Sequence, residues 1–250
     1  MNDTTYRFFV GLVDAFLWGG ELVGDENHLP EKGPAVFIAN HLGPLGPIGA
    51  ACSIPLRLYY WVMGDMVDKE LAAEYLRVDF VEPRLKLKPP FSLSFSKALS
   101  RITVPLLSSL GCIPAYLGGQ ERLYDTLRLS LSLLLEEKYL LVFPEYAILG
   151  ADSLTKMYPF QKTVFRLGEM YYEQTRRRLP FYPVAIHESR RVKVGQPFTY
   201  NPLVQLGQER HRLKDLLEEA VKKMYLELSG GDYLAASLAH YRNGSPTGTA

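Results

Sequence analysis

Two residues stand where acid–base chemistry is done in sheet proteins. His41, in Asn40-His41-Leu42-Gly43-Pro44, follows the apolar run Pro34–Ala39. Glu145, in Phe143-Pro144-Glu145-Tyr146, follows Tyr139–Phe143. A neutral imidazole, with a pKa near 6.5, is the usual side chain able to take a proton near neutral pH. A carboxylate can orient it and stabilise its charged form. Each residue also has a structural reading, because a lone histidine can be a satisfied core residue and a Glu after a strand can be a helix cap.

Other chemistries lack their residues. Cys52 and Cys112 have no CxxC or Cys/His spacing and no disulfide framework around them. His28, His187, His211 and His240 show no metal-ligand spacing, so no metal is expected and these four are read as structural or surface residues. There is no GxGxxG after a strand, no GxxxxGK[ST] and no GxSxG elbow. Dinucleotide oxidoreduction, P-loop hydrolysis and α/β-hydrolase chemistry are excluded on that ground.

Alternating elements must position the two residues. Pro34–Ala39, Leu58–Met63, Cys112–Tyr116, Tyr139–Phe143, Phe181–Ile186 and Arg191–Val194 read as strands. Between them, helices are expected over Leu45–Ser53, Val67–Leu76, Phe91–Leu110, Gln161–Arg176 and Gln208–Leu228. A further helix, after the Gly118-Gly119 turn, carries Leu123, Leu127, Leu131, Leu134 and Leu135. Pro105 should kink or end the helix that contains it. Strands alternating with helices predict an α/β fold, a single domain whose mostly parallel sheet is covered by helices on both faces. Open sheets of this kind place ligands at the carboxyl ends of their strands, where His41 and Glu145 stand.

With 250 residues, 47% hydrophobic, the chain can bury a sizeable core, and a net charge of +1 disfavours nucleic acid as a partner. The division expected is residues 1–30 as an N-terminal amphipathic helix and lead-in, 31–241 as the α/β domain, and 242–250 as a disordered tail. Phe8, Phe9, Leu12, Val13, Phe16 and Leu17 recur at helical spacing; they are expected to pack on the core, the alternative being a membrane interface. No stretch reaches the roughly 18 apolar residues that span a bilayer, so any membrane contact is expected to be peripheral.

The order of VFIANHLGPLGP, LGCIPAYLGG, LLVFPEYAILG, RLPFYPVAI and RVKVGQPF resembles the four-block pattern of the glycerolipid acyltransferases, the lysophosphatidic acid acyltransferase family. The resemblance runs from about Gly33 to the last long helix. It implies that His41 is a general base on a lipid hydroxyl, which attacks the thioester of acyl-CoA or acyl-acyl carrier protein; these are co-substrates, and no bound cofactor is implied. With it come Glu145 as a second catalytic residue and Asn40, Gly111, Phe143, Pro144 and Tyr146 as substrate-binding residues.

Departures from the blocks shape the expectation. Gly46 stands five residues after His41, where the family has Asp. Leu117 takes the place of the second block's arginine, and Tyr146-Ala147-Ile148 that of Gly-Thr-Arg. With those phosphate-binding cations gone, a less polar acceptor, alcohol or amine, is expected. Three readings follow: an active acyltransferase in which Glu145 or another carboxylate orients His41; an inactive acyltransferase fold that binds a lipid or acyl chain; and a structural or partner-binding domain. The preferred reading is the first, in the cytoplasm and peripherally on the inner face of the membrane.

Arg84, Lys86 and Lys88 alternate with apolar residues before Phe91 and Phe95. This pattern suits an anionic lipid surface. It also suits an edge strand, a loop over the core, or a landing site for an acidic carrier protein. Arg176-Arg177-Arg178 is explained by a helix C-terminus.

Overall fold

The computed structural model describes residues 1–24, 28–43, 45–116, 120–147 and 150–230. Leu117, the Gly118-Gly119 turn, Ile148, His240 and the tail from Arg242 lie outside them.

The β-rich runs form a mixed, mostly parallel sheet of eight strands among the described residues: β1 (Glu21–Val23), β2 (Ala35–Ala39), β3 (Leu58–Met63), β4 (Ile113–Ala115), β5 (Tyr139–Val142), β6 (Pro180–Ile186), β7 (Arg191–Val194) and β8 (Phe198–Thr199). Their order is β1-β7-β6-β2-β5-β3-β4, with β8 on β6. β2 lies parallel between β5 and β6, with Val36 opposite both Leu140 and Phe181. Only the pairings of β6 with β7 and with β8 are antiparallel. Every residue of β2 is buried, as a strand covered on both faces requires.

The helices are α1 (Asp3–Val13), α2 (Leu45–Ser53), α3 (Ala72–Leu76), α4 (Glu82–Leu85), α5 (Phe91–Leu110), α6 (Gln120–Leu135), α7 (Arg166–Thr175) and α8 (Leu206–Leu228). Two layers of core result. Ala50 of α2 and Ile54 just after it, with Trp18, pack on Phe37, Leu58, Leu141 and Val184. Leu127 and Leu134 of α6, Leu167 and Tyr171 of α7, and Leu213, Leu217 and Val221 of α8 pack on Val36, Ile38, Leu140 and Phe181. The sheet is therefore covered on both faces, as the alternation of elements predicts.

Three expectations change, and two strands are added. The N-terminal stripe does not enter the core: Phe8 is 75% and Phe16 79% exposed, with Leu12 and Leu17 exposed as well. The segment is held by other residues: buried Tyr6 and Trp18, whose indole N–H donates to Ser53 Oγ (2.9 Å), and the Asp3–Arg57 pair (2.6 Å). Pro105 neither ends nor interrupts α5, which runs to Leu110. Its ring lies on the exposed side, so the Arg101 carbonyl it leaves without an amide is on the wet face. The helix expected over Val67–Leu76 begins only at Ala72 and continues through a π-turn (Arg77–Val81) into α4. β1 and β8, of three and two residues, are too short to show a period of two.

α5 is turned inside out. It buries Ser92, Ser96 and Ser100, four residues apart, and exposes Phe91, Leu93, Phe95 and Ile102. Ser96 Oγ donates to the Ser92 carbonyl (2.7 Å) and Ser92 Oγ to Glu82 (2.9 Å), so the buried hydroxyls are satisfied within and beside the helix.

Candidate active site

β2 delivers the first two residues. At its carboxyl end Asn40 is 2% exposed, and its side chain continues the ladder where the backbone stops: Nδ2 donates to the Ile186 carbonyl (2.9 Å) and Oδ1 accepts from the Ile186 N–H (2.8 Å). Both halves of the amide are spent on β6. Asn40, expected to bind substrate, instead pins two strand ends and fixes where the chain leaves the sheet. Alanine there strands two buried backbone groups. Asn40→Ala is accordingly expected to lower stability by about 2 kcal/mol or more, measured by denaturant unfolding; a change within about 0.5 kcal/mol, the scatter of ordinary surface substitutions, would show that the lock carries nothing.

His41 emerges immediately after this lock, its side chain open to solvent on one side. Phe143, at the end of β5, meets its ring edge-on, with centroids 5.3 Å apart at 83°. The protein crowded around the imidazole disfavours its charged form and lowers its pKa below 6.5. A neutral imidazole is the form that accepts a proton.

Glu145 reaches His41, though not at the ring. Its Oε1 accepts the His41 backbone N–H (2.5 Å), and its Oε2 accepts the Tyr158 backbone N–H (2.8 Å). Burial pushes this carboxyl's pKa up, the two N–H groups oppose that, and nearby Glu218 adds to the rise. Glu145 thus acts as a main-chain clamp on the His41 turn. The expectation that it orients the imidazole is corrected: both carboxylate oxygens are committed to amides, and among the described residues no carboxylate is hydrogen-bonded to a ring nitrogen of His41.

The clamp is itself supported. Residues 144–146 run antiparallel to 158–161: Tyr146 N–H donates to the Pro159 carbonyl (3.0 Å) and Gln161 N–H to the Pro144 carbonyl (2.7 Å). Pro144 and Tyr146, expected at the substrate, lend these backbone groups to the strip. From α8, Glu218 accepts the Phe160 N–H (2.9 Å) and is neutralised by Lys222 (2.8 Å) and Lys214 (3.1 Å). Neither Tyr158 nor Glu218 carries a signal in the sequence that ties it to His41.

Gly111 lies elsewhere. It caps α5 in the left-handed conformation (φ 79°) and precedes β4, at the opposite end of the sheet from His41, where a Cβ would come within 2.9 Å of the Tyr59 ring. Its place is a packing requirement and not a substrate contact.

Gly46 lies in the first turn of α2 and faces the site. A Cβ built on it would be 3.5 Å from Phe143 Cε1, 3.7 Å from the Asn40 carbonyl oxygen and 3.8 Å from the His41 carbonyl carbon. A carboxylate at position 46 would enter the corner behind His41; glycine leaves that corner without charge. Among the described residues no group of three or more His, Cys, Asp and Glu side chains is placed to hold a metal ion.

No protein-family model matches the chain, and no curated protein matches it in sequence. Among solved structures, the chain is similar to the crystal structure of the 1-acyl-sn-glycerophosphate (LPA) acyltransferase PlsC from Thermotoga maritima. The TM-score is 0.51 and the identity 12%, over 90% of this chain and 83% of that one. The fold is glycerolipid acyltransferase-like. At 12% identity the likeness is one of fold, and it leaves chemistry to the residues found at the carboxyl ends of the neighbouring strands β6, β2 and β5.

Proposed function

We propose that the chain is an acyltransferase that moves a fatty acyl group from acyl-CoA or acyl-acyl carrier protein to a hydroxyl or amine of a lipid-like acceptor, with His41 as general base. The observation that carries this reading is a neutral-favouring imidazole held by its backbone at the carboxyl end of the central strand of an acyltransferase-like fold. In the step, His41 takes the acceptor's proton as its oxygen or nitrogen attacks the thioester carbonyl. The new C–O or C–N bond forms, the C–S bond breaks, and the proton passes from the imidazolium to the leaving thiolate. Glu145 and Asn40 set the position of the base without touching the reacting atoms.

One observation favours a second reading, a catalytically inactive acyltransferase fold that binds a lipid or acyl chain: no carboxylate orients the ring, and Glu145 is spent on amides. A thioester-consumption assay against a panel of alcohols and amines, beside mass spectrometry of copurifying lipid, separates the two. Acyl transfer to any acceptor supports the enzyme. Bound lipid without turnover supports the binding protein.

The acceptor's place at a lipid surface belongs to the same proposal. No helix among the described residues is long and apolar enough to cross a membrane. Phe91 and Phe95 stand exposed on the outward side of α5, next to exposed Arg84, Lys86 and Lys88. Apolar groups entering the interface while cations meet anionic headgroups is the pattern of a peripheral contact on an inner leaflet. Reversing Arg84, Lys86 and Lys88 to glutamate is expected to abolish flotation with anionic vesicles, and rising salt to weaken it in the wild type. Unchanged flotation of the triple variant removes this patch and leaves exposed Phe8 and Phe16 as the contact.

A further inference from the structure

α4 brings a cation to the His41 turn that no motif position supplies. Arg84 Nη2 stands 3.8 Å from the place a Cβ on Gly43 would occupy, two residues beyond His41. Gly43 adopts φ 53° and offers no side chain to fence the guanidinium off.

Arg84 is also uncommitted. Of the carboxylates near α4, Glu74 and Glu82 are held by Arg77 (2.5 and 2.6 Å), Glu82 again by Ser92 Oγ (2.9 Å), and Asp79 lies beside Tyr75; none of them pairs with Arg84. On the other side of the site Glu145 is held by two amides, and Glu218 by Lys214, Lys222 and an amide. Among the described residues Arg84 makes no hydrogen bond or ion pair. Arg84 therefore stands beside the His41 turn with its positive charge unpaired, as a planar fork of N–H donors suited to phosphate or carboxylate.

We infer that Arg84 is a specificity-determining residue that holds an anionic group, a phosphate or carboxylate, of one of the two substrates against the His41–Gly43 turn. This rests on the acyl-transfer reading and revises one part of its sequence-level form. Loss of the arginines of the second and third blocks pointed to an acceptor without phosphate, whereas Arg84 of α4 supplies a cation from outside the motifs. The anionic group has two sources: a headgroup phosphate on the acceptor, or the phosphates of the acyl donor.

The test uses the full chain with short-chain, water-soluble substrates, so that membrane docking plays no part. Arg84→Gln removes the charge without removing any bond the fold uses, and Arg84→Lys keeps the charge without the fork. The first readout needs no turnover: the His41 ring protons are followed by NMR as inorganic phosphate is added. Wild type is expected to show a saturable shift that Arg84→Gln lacks. The second is kinetic. Losing a charge-assisted, bidentate contact is expected to raise KM about 10- to 100-fold for the substrate that bears the anion, with kcat and the KM of its phosphate-free counterpart unchanged.

A hexanoyl lysophosphatidate paired with hexanoylglycerol reports on the acceptor; hexanoyl-CoA paired with hexanoyl-pantetheine reports on the donor. Whichever pair separates names the source. Phosphate shifts and KM values of Arg84→Gln equal to wild type for both pairs overturn the inference. A wild type that transfers no acyl group, yet shows the Arg84-dependent shift with phosphate, overturns acyl transfer and leaves Arg84 as an anion site.

Discussion

His41→Ala is expected to lower acyl transfer about 10²- to 10⁴-fold, the usual contribution of a positioned general base, and to leave the thermal unfolding midpoint close to wild type. Stability should survive because the fold holds His41 by its backbone. The N–H given to Glu145 is still present in alanine, and the imidazole's ring contact in the structure is its edge-on meeting with Phe143. The pH dependence carries a second mark. Desolvation lowers the imidazole's pKa, so the ring stays neutral further into acid than a free histidine does. The acid limb of kcat/KM should therefore have its midpoint below 6.5 and reach its plateau by neutrality. Glu145→Gln should act differently, lowering kcat by loosening the turn while leaving that midpoint near its wild-type place. Equal rates for wild type and His41→Ala at matched stability would remove the base and return His41 to a structural role.

The strand-end position of His41 was legible because the short apolar run Pro34–Ala39, bounded by Lys32-Gly33 and Asn40, carries the signature of a buried strand, and Ala35–Ala39 is one. The same logic placed Glu145 at the end of β5, and parallel neighbours then bring the two together. Which atoms meet was beyond reach. Pattern locates a residue on an element, while the partner of a carboxylate depends on fractions of an ångström in the turn that follows. Asn40 shows the limit most clearly, since its two bonds go to Ile186, 146 residues away, and an asparagine after a strand carries no mark that separates a lock from a ligand.

The N-terminal stripe failed for another reason. Amphipathic spacing says that one side of a helix is apolar and not which side meets the protein; Tyr6 fixes α1 and Trp18 the π-helical turn Asp14–Trp18 that follows it, while Phe8 and Phe16 face out. α5 gives the same lesson with the opposite composition, burying serines. Arg84 was legible only as a cation of a surface segment, because it lies 43 residues beyond His41 and only the folded chain brings its guanidinium near Gly43.

Gly46→Asp is expected to raise transfer at least 10-fold, with the roughly 10⁴-fold worth of an orienting carboxylate in a comparable triad as the ceiling. The substitution has room, because the nearest atoms to the new Cβ lie at 3.5–3.8 Å, ordinary contact distance, and include the main chain of His41 itself. Backbone and helix tolerate it: position 46 is helical, and a carboxylate in the first turn of α2 sits at the positive end of the helix dipole. The cost is desolvation of a charge at a buried position, which the imidazolium offsets when the two form a pair. That dependence fixes the sign of the pH effect. An anion beside the ring favours its charged form, so the His41 pKa should move up from its lowered value and the acid limb of kcat/KM should shift to higher pH, while the plateau rises. Gly46→Asn, with the same shape and no charge, should leave the midpoint where it is, and Gly46→Ala controls for the backbone. NMR titration of the His41 ring reads the shift even where turnover is too slow to follow. An unchanged titration in a folded Gly46→Asp variant would mean that position 46 does not address the imidazole. A raised pKa with no gain in rate would instead locate the defect beyond the base, in the grip on substrate, and favour the binding protein over the enzyme.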